Sequence, residues 1–132
     1  AGTVIHYSNY ELTAAGAMAK AGIVGADHLV EILARRAQDL LPVVKDNIYD
    51  LDFQASYSIK AVLPVLCPGF DYKDLAINNG GLASEAFLRL HASDCTPDEA
   101  AEIRENLWRY CERDTLAMVK VVQALMALGA RS

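Results

Sequence analysis

The chain has few cysteines, no long apolar run and no excess of basic charge. Its three cysteines, Cys67, Cys95 and Cys111, lie far apart and form no Cys-x-x-Cys pair. An odd number at such spacing argues against a disulfide framework or a zinc site and favours reduced thiols. The longest apolar segment, 61–67, is far too short to cross a bilayer. A net charge of −5 counts against a non-specific nucleic-acid binder, which would carry a basic surface.

The start of the sequence has no basic region followed by an apolar one, so it shows no signal peptide. We therefore expect a cytoplasmic protein. Because the chain begins with Ala1 and not with methionine, we also expect it to be an excised or processed piece of a longer protein. There is no internal repeat, linker or glycine-rich phosphate loop. A length of 132 residues is typical of one domain, which we predict over residues 1–132.

Local patterns in the first half predict a strand followed by two helices. Residues 3–7 are rich in β-branched and aromatic side chains, as strands are. The Ser-x-x-Glu pattern from Ser8 to Glu11 is typical of a capping box and predicts a helix from there to about Gly22. A second helix is predicted after Gly25. Residues 37–41 predict a brief strand or the start of a helix.

The second half predicts further short helices before one long one. Residues 58–63 predict a helix that Pro64 kinks or ends. The Asn-Asn-Gly-Gly segment at 78–81 is typical of a break, and a helix is expected over 82–91. With one or two strands against five or six helices, the chain is expected to be a helical domain or to lack sheet strands that lie upstream.

A long helical pattern runs from Thr96 almost to Leu128. Thr96, Pro97 and Glu99 supply an N-cap, a first-turn proline and an acidic third position. Asp114 falls on the apolar face of this pattern. An unpaired carboxylate in an apolar setting costs several kcal/mol, so we expect a cation or hydrogen-bond donors to face it. The other members of that face are Ile103, Leu107, Tyr110, Met118, Val121 and Leu125.

Tyr110 and Asp114 are the first candidates for chemistry. One turn apart on a helix, they project from the same face and can meet at one site. A carboxylate suits Mg²⁺ or Mn²⁺, and a phenol beside it could orient a metal-bound water. In the alternative interpretation the helix breaks near Tyr110, and Asp114 with Thr115 caps a new helix. The residues alone leave both interpretations open.

Glu11 and Lys60 each have a functional and a structural interpretation, whereas Asp39 and Arg113 have a structural one. Glu11 directly follows a predicted strand, where site residues of α/β folds cluster, but it also completes the capping box. Lys60 could contact a phosphate, or it could be solvated. Asp39 is expected to accept hydrogen bonds from backbone amides. Arg113, like Arg104 and Arg109, alternates with glutamates and predicts a solvent-facing set of ion pairs.

Four segments of the chain resemble known nucleases. Tyr110-Cys-Glu-Arg-Asp114 fits the Tyr-x-x-x-Asp third motif of DnaQ-like 3′–5′ exonucleases, and the segment from His6 to Glu11 resembles their second motif, with glutamate in place of the usual aspartate. The segments 56–60, 74–84 and 110–118 resemble the bacterial family called domain of unknown function 2779. The likeness covers nearly the whole chain.

The resemblance implies an α/β, RNase H-like fold, truncated at its N-terminus and therefore mostly helical with one or two short strands. It implies a two-metal phosphodiester hydrolase of DNA or RNA, in which ions about 4 Å apart generate the hydroxide and stabilise the leaving oxygen. Asp114 and Glu11 would bind Mg²⁺ or Mn²⁺, Tyr110 would position the water, and Lys60 would contact nucleic acid.

The first motif of these enzymes, an Asp-x-Glu on the first strand, is missing from the chain. We therefore expect weak metal binding at best and no nuclease activity from the chain alone. If missing strands leave a sheet edge open, we expect a second copy to cover it, giving a homodimer. The competing hypotheses are a non-catalytic interaction or regulatory module on an RNase H-like scaffold, and a plain helical domain in which Asp114 caps a helix.

Overall fold

A computed structural model describes residues 2–130. The chain is mostly helical, at 66%, with two short parallel strands, which is compatible with the α/β class. It divides into two compact units, Ala1–Val62 and Leu63–Ser132, which are described separately below. Whether they form the single domain predicted over residues 1–132 stays a prediction. Within residues 2–130, no helix has both the length and the apolar character needed to cross a membrane.

The first unit is built around a parallel pair of strands. Two helices lie between the strands in sequence and supply the crossover that parallel strands require. The register pairs His6 with Asp39, so both strands end at the same edge. In chain order the elements are β1 (Val4–His6), α1 (Tyr10–Lys20), α2 (Ala26–Arg36), β2 (Ala37–Asp39), α3 (Leu40–Asn47), a short 3₁₀ turn (Leu51–Phe53) and α4 (Ile59–Leu66), whose last turn belongs to the second unit.

The predicted capping box at Ser8 is wrong. Helix α1 begins at Tyr10 with Asn9 at its N-cap position, and no side chain caps it. Ser8 instead adopts a left-handed backbone with φ of 73° and donates its N–H to Asp39 Oδ1 at 2.8 Å. Glu11, in the first turn of α1, is therefore not part of a cap.

Asp39 confirms the prediction of a structural acid. Its Oδ1 also accepts the N–H of Leu41 at 2.9 Å, so the same oxygen caps α3 and accepts from Ser8, the second residue after β1. The predicted strand or helix start at 37–41 is thus both: a strand that ends at Asp39 and a helix that follows it directly. The buried core beside it contains Ala15, Leu33, Leu40, Val44 and Phe53.

Two predicted helix boundaries differ from those observed. Helix α4 continues through Pro64 to Leu66, although proline removes one helical hydrogen bond; the full burial of Val62 and Leu63 offsets that loss. The Asn-Asn-Gly-Gly segment predicts an irregular chain as far as Gly81, and this boundary is wrong. Helix α5 (Gly80–Leu90) begins inside it, because the side chain of Asn79 accepts the N–H of Leu82 at 3.0 Å.

The second unit consists of α5, the long helix α6 (Pro97–Gly129) and the segment before them. The predicted start of α6 is confirmed, since Thr96 Oγ1 accepts the N–H of Glu99 at 3.3 Å. The helix is unbroken for 33 residues, so the alternative in which Asp114 and Thr115 cap a new helix is wrong. The hydroxyl of Thr115 instead donates to the carbonyl of Cys111 in the preceding turn, at 3.0 Å.

Candidate functional site

Asp114 faces a tyrosine that the sequence analysis did not single out. Tyr72, in the segment between α4 and α5, is 7% exposed, and its hydroxyl is near enough to the carboxylate of Asp114 for the two groups to influence each other. Its ring lies beside that of Tyr110, with centroids 6.3 Å apart. Burial, together with the nearby carboxylate of Asp114, raises the pKa of Tyr72 above its usual range. The phenol therefore stays protonated at neutral pH, and it is a hydroxyl donor beside the inward-facing Asp114.

An ion pair attaches the segment carrying Tyr72 to α6. The guanidinium of Arg113 donates to both carboxylate oxygens of Asp74, at 2.9 and 2.8 Å, and also to the carbonyl of Asp71. Its carbon lies 5.3 Å from the centre of the Phe70 ring, a cation–π contact. The hydrogen bonds from Arg113 lower the pKa of Asp74. The residues on both sides of Tyr72 are thus bound to the residue that precedes Asp114.

This ion pair corrects one sequence prediction. Arg109 does pair with Glu105 on the exposed side of α6, at 2.9 Å, as predicted for a solvent face. The Arg113 side chain, by contrast, is only 23% exposed and binds outside its own helix. Alternation of arginine and glutamate could not separate the two roles, because the partner of Arg113 lies 39 residues away in sequence.

Glu11 lies in the first unit, beyond the carboxyl end of β1. Its Oε2 atom is buried and has no hydrogen-bond partner among residues 2–130, although its side chain is 39% exposed overall. His6 Nδ1 lies 3.8 Å from this oxygen, which is too long for a hydrogen bond. That nitrogen donates instead to the carbonyl of Ser8 at 2.5 Å. This oxygen of Glu11 can therefore still accept a hydrogen bond or bind a cation.

Lys60 lies in the first turn of α4, within the first unit, and is half-buried. Its predicted contact with nucleic acid stays a prediction. The structure thus places Tyr110 and Asp114 together on α6, with Tyr72 against them. Glu11 and Lys60 belong to the other unit.

The two metal ligands expected from the sequence, Asp114 and Glu11, belong to different units. Within the described part of the chain, no group of three or more histidine, cysteine, aspartate or glutamate side chains could bind a metal ion. The residues present therefore do not fit a complete Mg²⁺ or Mn²⁺ site by themselves. The chain matches no protein-family model, no curated protein and no solved structure.

Tyr72 was not identified from the sequence as a residue near the candidate site, and His6 was named only as the first residue of the segment that resembles the second motif. Tyr72 lies in an irregular segment, where no periodicity indicates which side chains face inward. His6 lies at the end of a three-residue strand, which is too short to show an alternating pattern. An unpaired acidic residue on an apolar helix face was the one available signal, and it indicated only that some donor must exist.

Proposed function

We propose that this chain is the carboxyl-terminal part of a DnaQ-like 3′–5′ exonuclease domain with an RNase H-like fold, acting on nucleic acid within a longer protein. The observation that carries the proposal is the position of Asp114. It lies on the inner face of an unbroken helix, one turn after Tyr110, with the buried phenol of Tyr72 near it. A carboxylate needed only as a helix cap would lie at the end of a helix.

The topology of the first unit supports the same proposal. Strands β1 and β2 are parallel and are joined by helices, as in α/β enzymes. Ligands of such folds bind beyond the carboxyl ends of the strands. Glu11 follows β1 in that region and keeps one oxygen without a hydrogen bond among the described residues. Oδ1 of Asp39, at the end of β2, already accepts two backbone amides, and Asp39 is not proposed as a ligand.

In this proposal Asp114 and Glu11 supply two carboxylates, and Tyr110 orients the attacking water. The Asp-x-Glu pair typical of the family would supply the others, and these 132 residues contain none. We therefore propose that the chain alone binds Mg²⁺ or Mn²⁺ weakly and does not hydrolyse nucleic acid. Its own contribution is to fix the orientation of Asp114 through Tyr72 and α6.

The test uses the full-length protein with single-stranded DNA and RNA oligonucleotides labelled at either end, in Mn²⁺ or Mg²⁺. Shortening from the 3′ end is expected. Asp114→Asn keeps an oxygen that can accept from Tyr72, so the fold should persist while the rate falls at least about 100-fold. Tyr110→Phe should reduce the rate about tenfold or more. Glu112→Gln, an exposed change on the same helix, is the matched control and should leave the rate unchanged.

Two outcomes would contradict the proposal. One is a folded full-length protein that cleaves neither substrate; this would favour a non-catalytic interaction module, which the incomplete ligand set also suits. The other is an Asp114→Asn variant that retains its activity. For the 132-residue chain, metal-dependent cleavage that Asp114→Ala abolishes would show that the site is complete without the Asp-x-Glu pair.

A further inference from the structure

A cavity in the first unit opens at the carboxyl-terminal edge of the two parallel strands. Its volume is about 510 Å³, within the range of small-molecule sites. Two of its lining residues directly follow β1, two belong to the helix that directly follows β2, and three lead into α4. Ligands of parallel sheets bind outside this edge. We call the cavity the edge pocket, and it is lined by Tyr7, Ser8, Leu41, Lys45, Tyr57, Ser58 and Ile59.

Contacts with the core hold the walls of the edge pocket in place. The hydroxyl of buried Tyr7 donates to the carbonyl of Tyr57 at 2.6 Å, which ties the segment before α4 to the end of β1. The ring of Tyr57 packs edge-on against fully buried Phe53, with centroids 5.6 Å apart. Leu41 and Lys45 lie one turn apart on α3 and so share a face of that helix. A ligand would therefore enter walls that are already ordered, which favours binding.

The polar side chains that line the edge pocket can donate hydrogen bonds, and none of them is acidic. Lys45 supplies an ammonium group that forms no ion pair within residues 2–130. Ser8 and Ser58 supply hydroxyls. The carboxylate of Asp39 lies close to Tyr7 and Ser8, but it does not line the pocket, and its Oδ1 already accepts two N–H groups. The remaining walls are mostly apolar. The pocket therefore suits a ligand with an apolar body and one negative charge.

We propose that the edge pocket binds a small aromatic carboxylic acid in its ionised form. The ring of the ligand packs against Leu41, Tyr57 and Ile59, and its carboxylate pairs with the ammonium group of Lys45. A phosphate ester fits less well, because it carries about −1.5 to −2 charges at neutral pH against one lysine. The proposal uses neither Asp114 nor Glu11, so it is independent of the proposed nuclease function.

Nuclear magnetic resonance of the ¹⁵N-labelled 132-residue chain, titrated with phenylacetate, tests the proposal. Saturable shifts of amide signals are expected at residues 7–8, 41–45 and 57–59. A dissociation constant on the order of 1 mM is expected for so small a ligand. Three matched probes separate the parts of the ligand: phenylacetamide lacks the charge, acetate lacks the ring, and phenyl phosphate carries the larger charge. Each should bind more weakly than phenylacetate.

Substitution of Lys45 tests the role of its charge. Lys45→Met keeps most of the length of the side chain and removes the ammonium group, so it should weaken phenylacetate binding about fivefold or more. Lys20→Met is the matched control, because Lys20 is also exposed and also lies in the last turn of its helix, but does not line the pocket. It should leave the affinity unchanged. Both lysines are exposed, so both variants should keep the amide spectrum of a folded chain.

Several results would overturn the proposal. One is the absence of saturable shifts at the pocket residues up to about 20 mM phenylacetate. A second is equal affinity for phenylacetate and phenylacetamide, or for phenylacetate and acetate, since the charge or the ring would then contribute nothing. A third is an equal effect of Lys45→Met and Lys20→Met. Tighter binding of phenyl phosphate than of phenylacetate would contradict the assignment of a singly charged carboxylate.

Discussion

Replacing Asp39 with alanine is expected to destabilise the first unit far more than its partial exposure suggests. One oxygen of this side chain accepts two backbone amides, from Ser8 at 2.8 Å and from Leu41 at 2.9 Å. Loss of an N-cap costs about 1 kcal/mol. Leaving the amide of Ser8 without an acceptor costs about 1–3 kcal/mol. The expected loss in the free energy of unfolding is therefore about 2–4 kcal/mol.

Two further substitutions separate the hydrogen bonds from the charge. Asp39→Asn keeps an accepting oxygen and removes the charge, so it should cost about 1 kcal/mol. Asp46→Ala removes a carboxylate from an exposed position of the same helix, and it should change stability by less than about 0.5 kcal/mol. Urea unfolding followed by far-ultraviolet circular dichroism measures the free energy of unfolding of all three variants. The reasoning is refuted if Asp39→Ala costs no more than Asp39→Asn or Asp46→Ala.

The pKa of Tyr7 provides a second measurement of the effect of Asp39→Asn. Burial, and after it the charge of Asp39, raises the pKa of Tyr7 to about 12. Asp39→Asn removes the second cause and leaves the first. The pKa should therefore fall but remain above 10, the ordinary value for tyrosine. Ultraviolet absorbance of tyrosinate, compared with a variant that also carries Tyr7→Phe, isolates this group.

Further predictions concern alkaline stability and packing. Because the folded-state pKa of Tyr7 is raised above 10, its stabilising contribution is complete below pH 10 and is lost as the pH rises towards about 12. Tyr7→Phe should make unfolding free energies less dependent on pH in that window, and an unchanged slope would contradict the assignment. Val121→Ala, at a fully buried position of α6, should cost about 2 kcal/mol. Val119→Ala, on the exposed face, should cost less than about 0.5 kcal/mol, and equal losses in urea unfolding would contradict the assigned orientation of the helix.

Features of the structure with local causes could be predicted from the sequence. The start of α6 follows from Thr96, Pro97 and Glu99, which act within one turn of each other. The inward direction of Asp114 follows from helical periodicity, and the capping role of Asp39 follows from its place before Leu41.

Features that depend on distant residues could not be predicted. Ser8 resembles an N-cap residue in the sequence. In the structure its amide donates to Asp39, 31 residues away, and its backbone adopts a positive φ. Helix α4 continues past Pro64 because its neighbours are buried, which no local pattern records. The sequence predicted that some donor must face Asp114. It could not predict that Tyr72 lies there, because the segment that carries Tyr72 is attached to α6 by the ion pair between Arg113 and Asp74.

That ion pair makes the geometry of the candidate site responsive to the solvent. Asp74 is 65% exposed, so dissolved salt screens its attraction to Arg113. The lowered pKa of Asp74 means that the contribution of the pair is present above the unfolded-state value and is lost as the pH falls through the folded-state value. A carboxylate on a rigid helix thus owes its orientation to a surface contact that ionic strength can weaken. Concentrated salt, or a pH low enough to protonate Asp74, is expected to broaden the range of side-chain conformations at Asp114 while α6 itself stays helical.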